Sequence, residues 1–95
     1  MISSAYQKLV DAQRGWTAQE LDLTLDAAER WITDNALFRQ NSRTGNWCVS
    51  YETVRGRQKY YGDTRGRAIV AAAYGLQSHV FNDSKVSQFI YGGSK

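Results

Sequence analysis

Cys48 and His79 are the only cysteine and the only histidine in the chain. They are therefore the one pairing that could make a sulfur nucleophile. That chemistry needs the thiol and the imidazole within hydrogen-bond reach, with a third group orienting the ring. Cys48 stands between Trp47 and Val49 in a stretch that alternates like a strand. Such a setting suits a small buried thiol better than an attacking one. One Cys and one His also fall short of the three or four ligands that zinc takes. The sequence thus predicts a protein that is not an enzyme, with no catalytic residue, no metal site and no cofactor.

The charged residues carry more of the signal. Residues 1–37 hold six acids and three bases, whereas residues 38–95 hold nine bases and three acids, so the chain has an acidic half and a basic half. Asp22, Asp26 and Glu29 recur at helical spacing and form an acidic docking face for a basic partner. Asp22, early in the expected helix, is also where the helix dipole favours a carboxylate.

In the basic half, Arg55-Gly56-Arg57 and Arg65-Gly66-Arg67 repeat one tripeptide, with Lys59 between them. A five-residue strand separates the two groups by about 17 Å at ~3.3 Å per residue, too far for one compact pocket. Arg55, Arg57, Lys59, Arg65 and Arg67 are the candidate residues for binding a partner or nucleic acid. They suit successive phosphates or a long acidic protein surface. Gly62-Asp63-Thr64-Arg65-Gly66-Arg67 joins a strand to a helix start, where free N–H groups favour an anion. Its spacing is not that of a P-loop, nor of G-x-G-x-x-G. Tyr60 and Tyr61 add stacking surfaces, one of which must face the core.

The elements that position these residues follow from local patterns. Ser3 or Ser4 caps a first helix carrying Tyr6, Leu9 and Val10, and Gly15 stops it. Thr17 and Glu20 form a T-x-x-E capping box flanked by Trp16 and Leu21. The spacing then predicts a helix over residues 18–38, with Leu21, Leu25, Ala28 and Ile32 on its buried face. Residues 41–46 read as a loop. Trp47, Val49, Tyr51 and Thr53 alternate with Cys48, Ser50 and Glu52, as in a half-buried strand. A two-residue turn at Arg55-Gly56 sets Glu52 opposite Lys59 and Tyr51 opposite Tyr60.

Asp63 or Thr64 caps a third helix ending near Leu76, with Ile69, Ala72, Ala73 and Leu76 inward. Asn82-Asp83-Ser84 reads as a turn or cap, and residues 85–91 fit a short helix or a strand. The expected class is α+β: two N-terminal helices, an antiparallel β-hairpin, a third helix packed on it and a short C-terminal element. The expected organisation is a single domain over residues 1–91 with a flexible tail at 92–95 beginning at Gly92-Gly93.

The stretch from Tyr60 to Leu76 loosely resembles the C-terminal part of a double-stranded RNA-binding domain, over under a fifth of the chain. It departs from that pattern by carrying Arg65 and Arg67 where such domains use lysines. A further departure is two clear strands where they have three.

Size and composition bound the rest. Ninety-five residues with 42% hydrophobic side chains are enough for one core. No apolar run spans a bilayer, no basic region precedes an apolar core at the N-terminus, and a lone cysteine excludes an internal disulfide. The expectation is a soluble cytoplasmic protein. Its partner is expected to be a protein or nucleoprotein complex, with nucleic acid the alternative and no membrane. In general character such a chain looks like the accessory proteins of phages and mobile elements, which bind and inhibit host machinery such as defence complexes.

Overall fold

The computed structural model describes residues 4–13, 21 and 23–91, with residues 85–91 by their backbone. Its elements run α1 (Ser4–Ala12), α2 (Leu25–Asn35), β1 (Leu37–Gln40), β2 (Trp47–Thr53), β3 (Gly56–Gly62) and α3 (Arg65–Tyr91). The class is α+β, with a three-stranded antiparallel sheet in the order β1-β2-β3. Helix α3 packs on one face of that sheet, and α1 and α2 pack on α3. The capping box at Thr17, Asp22 and the tail at 92–95 lie outside the described residues.

Helix α2 is shorter than its apolar spacing predicts. It starts at Leu25, behind Thr24, whose backbone is extended (φ −69°, ψ 163°) and whose hydroxyl accepts from the Ala27 N–H at 3.1 Å. Leu23 before the cap and Ala28 at the fourth helical position are both buried, the placing of a hydrophobic staple. The helix stops at Asn35, because Ala36 turns extended (φ −81°, ψ 161°) and its N–H bonds back to the Ile32 carbonyl. The chain then enters β1, which the sequence reading had merged into the helix. Phe38 is therefore a strand residue, paired with Val49.

The loop over residues 41–46 is built as expected. The Asn41 side-chain oxygen accepts from the N–H groups of Arg43 (2.8 Å) and Thr44 (3.1 Å), and Gly45 supplies the positive φ of 77°.

The β2–β3 turn falls one residue earlier than predicted, at Val54-Arg55, with Thr53 opposite Gly56. Thr53 decides this: its hydroxyl donates to the Gly56 carbonyl at 2.9 Å and accepts from the Arg55 N–H at 3.1 Å. Gly56 takes φ 114° where the chain leaves the turn. Glu52 consequently faces Arg57, not Lys59, and Tyr51 faces Gln58. The shift moves each partner by two residues, so both faces of the sheet keep the side chains assigned to them. Tyr51 and Tyr60 still meet on the inner face, stacked with ring centroids 5.9 Å apart.

Helix α3 is one continuous element and absorbs the C-terminal segment that the sequence left open. Thr64 caps it, accepting from the Arg67 N–H at 3.1 Å. Asn82-Asp83-Ser84 lies inside the helix rather than at a turn. Tertiary contacts explain why: Asp83 is fully buried and accepts a hydrogen bond from the Tyr6 hydroxyl of α1, and the Ser84 hydroxyl donates to the Phe81 carbonyl. Ala68, Ala72, Ala73, Leu76 and Val80 are buried against the sheet and α2. Two glycines set the spacing. A Cβ on Gly62 would overlap the Ala68 backbone, and one on Gly75 would overlap the Tyr60 hydroxyl. Helix α3 thus runs back along β3, from Gly62 at one end to the hairpin tip at the other.

Candidate functional site

Strand alternation divides the sheet into two surfaces with different chemistry. The inner face carries Phe38, Val49, Tyr51 and Tyr60 and is covered by helix. The outer face carries Leu37 and Arg39 from β1, Cys48, Ser50 and Glu52 from β2, and Arg57, Lys59 and Tyr61 from β3. All of these except Glu52 line an open concavity of about 680 Å³, together with Trp47 and residues of the 41–46 loop. Leu37 and Tyr61 are 60% and 66% exposed there and add apolar surface to this face.

The register orders this face in rows. Leu37, Ser50 and Lys59 lie side by side, as do Arg39, Cys48 and Tyr61, while Glu52 and Arg57 close the end toward the hairpin tip. Arg57 pairs with Glu52 at 2.8 Å and donates to the Ser50 hydroxyl at 3.2 Å, which ties its guanidinium to two residues of the centre strand. Arg39 and Lys59 are exposed. Three bases and one acid leave the face at a net +2.

The five basic residues expected to act together separate into three places. Arg57 and Lys59 lie on the open face. Arg55 lies at the hairpin tip, with its guanidinium 3.8 Å from buried Asp83, so it serves the fold as the counter-charge of an interior carboxylate. Arg65 and Arg67 lie at the start of α3. Arg65 sits over the Phe38 ring at 4.5 Å from its centroid, and Arg67 pairs with Asp63 at 2.9 Å. Asp63 thereby cancels half of the charge at that helix start. On the acidic side, Asp26 is exposed in the first turn of α2 and Glu29 is half-buried.

Cys48 and His79 are not brought together. Cys48 points to the outer face, whereas His79 is on α3 beneath the inner face, hydrogen-bonded to the Tyr60 hydroxyl at 2.8 Å. The sheet lies between them. His79 stacks edge-on to Tyr51, and burial lowers its pKa from the usual value of 6.5. Tyr6 and Tyr51 are pushed well above the ordinary phenol range, chiefly by burial and then by hydrogen bonds to Asp83 and Tyr60. These groups form an interior polar cluster that ties α1, β2, β3 and α3 together.

Arg39 and Leu37 are the outer-face residues that sequence reasoning missed. The alternation of Leu37, Phe38, Arg39 and Gln40 was a signal for them, but it is only four residues long. Among the described residues, no helix is long and apolar enough to cross a membrane. No family model, no curated protein and no solved structure matches the chain.

Proposed function

We propose that the protein binds nucleic acid through the open face of its sheet. One observation carries this reading: Arg39, Arg57 and Lys59 share an uncovered sheet face with exposed Tyr61 and Leu37, and the lone acid of that face, Glu52, is paired with Arg57. Cations that neutralise phosphates release counterions, so a face of this kind attracts a polyanion before any base is read. Arg43 in the adjoining loop extends the positive surface beyond the sheet.

The test is fluorescence anisotropy with a labelled duplex and a labelled single strand, from low to physiological salt. Binding should be tightest at low salt. The double substitution Arg39→Ala/Lys59→Ala should weaken it more than tenfold and lower the salt slope by about two, at ~0.9 per phosphate contact. Far-UV circular dichroism should be unchanged, because both side chains are exposed. Absence of binding at low salt overturns the proposal.

A second reading, a protein-binding inhibitor of the kind carried by phages and mobile elements, draws on a different surface. Val70 (38% exposed) and Tyr74 (60% exposed) stand on the solvent side of α3. Tyr74→Asp should abolish capture of such a partner and leave nucleic-acid affinity unchanged.

A further inference from the structure

Resting on the binding face proposed above, we infer that the ligand is a single strand, of DNA or RNA, whose unpaired bases enter the concavity. The shape of the recess, its rings and its spare hydrogen-bonding groups lead there.

The first feature is shape. The recess is open and holds about 680 Å³, within the ~300–1,000 Å³ of sites that take up small organic groups. A base in a duplex is stacked and paired, and offers only its edge to a groove. To settle in a recess it must leave the stack, at a cost that is least for a base already single-stranded.

The second is the pair of rings that border the recess, Trp47 at the start of β2 and Tyr61 on β3. Tyr61 is exposed. Trp47 is half-buried: part of it packs against the core, and part of it lines the recess. Rings so placed take bases of any identity, because every base has a π-face. Arg39, Arg57 and Lys59 line the same recess, so phosphates between the bases meet cations beside the rings. A guanidinium plane is itself a stacking surface for an unpaired base.

The third lies in the 41–46 loop. The side-chain oxygen of Asn41 accepts from the N–H groups of Arg43 and Thr44, which leaves its NH2 group to donate at the recess. Asn46, exposed on the same wall, carries both a donor and an acceptor. Such amides suit the Watson–Crick edges of bases, which are open in a single strand and occupied by pairing in a duplex.

The experiment uses the full chain at low salt and four labelled 20-mer probes. Three share one mixed sequence: a DNA single strand, an RNA single strand and a DNA duplex. The fourth is an abasic strand, which carries the sugar–phosphate charge without bases. Anisotropy should show a single strand bound at least tenfold more tightly than the duplex and than the abasic strand. The tighter of the two single strands names the sugar, and either result supports the inference. Tyr61→Ala should weaken single-strand binding about fivefold or more, whereas Tyr61→Phe, which keeps the ring, should stay within about twofold of the parent. A duplex bound as tightly as both single strands, or more tightly, overturns the inference while leaving nucleic-acid binding intact. An abasic strand bound as tightly as one with bases does the same. Failure to bind every probe at low salt overturns the proposed function itself.

Discussion

Tyr6→Phe is the sharpest probe of how the helices are fastened to the hairpin. The substitution removes one oxygen from the interior and leaves the ring in its contacts with Trp31 and Tyr51. That oxygen is the donor to Asp83, a side chain with no exposed surface. A hydrogen bond to a charged acceptor contributes ~1.5–3 kcal/mol. Two observations place Asp83 toward the upper end. Its Oδ1 receives no hydrogen bond among the described residues. The remaining cation, Arg55, is 3.8 Å away and half exposed, so screening reduces it to under ~1 kcal/mol. The expected loss is about 2–3 kcal/mol.

At ~4–8 °C per kcal/mol for a domain of this size, the thermal midpoint should fall on the order of 10–20 °C. Urea unfolding followed by tryptophan fluorescence should show a lower midpoint with an unchanged slope. Adding Asp83→Asn to Tyr6→Phe removes the buried charge and should return part of the loss. A Tyr6→Phe protein within ~0.5 kcal/mol of the parent would refute the reasoning, because the buried carboxylate would then not depend on its donor.

Other perturbations test other joints of the structure. Gly75→Ala gains ~1 kcal/mol of helix propensity but drives a methyl into the Tyr60 hydroxyl, so calorimetry should show net destabilisation. Gly66→Ala, with open space around it, should instead stabilise by ~0.5–1 kcal/mol. Burial, assisted by Arg55 and opposed by Asp83, holds the His79 pKa below its unfolded value. The unfolded chain then binds the extra proton more readily, so stability is full above about pH 6.5 and declines on acidification below it. Midpoints measured from pH 8 to pH 5 should fall, and His79→Phe should flatten the curve. Arg65→Ala/Arg67→Ala should leave the protein folded and change nucleic-acid affinity by less than about threefold, because the proposed contact face lies elsewhere. A loss equal to that of Arg39→Ala/Lys59→Ala would move the site to the helix start.

What was legible in the sequence followed the strength of local periodicity. The buried faces of α2 and α3 were readable from Ala28, Ile32, Ile69, Ala72 and Leu76, and the two faces of the hairpin from alternation alone. The turn was misplaced because Gly56 draws attention as the turn residue, while the hydroxyl of Thr53 fixes the register. Strand β1 was lost because Phe38 falls seven residues after Trp31 and so continues the stripe of α2. With the strand went Arg39, and with Arg39 the recognition that the basic residues share a sheet face. The full length of α3 was hidden by Asn82-Asp83-Ser84, a local turn signal overridden by a contact 77 residues away in sequence. Such a contact leaves no trace in any short window.

The division of the sheet into a covered face and an open one has a consequence for how this chain can change over generations. Along β2, substitutions at Val49, Tyr51 and Thr53 disturb packing or the turn, whereas those at Cys48 and Glu52 alter what the outer face presents. Neighbouring positions in one strand thus answer to different demands: the odd ones to folding, the even ones to what the outer face presents. A library randomised at Leu37, Arg39, Cys48, Lys59 and Tyr61 should therefore yield mostly folded proteins with diversified surfaces. The scaffold can be retargeted without being rebuilt.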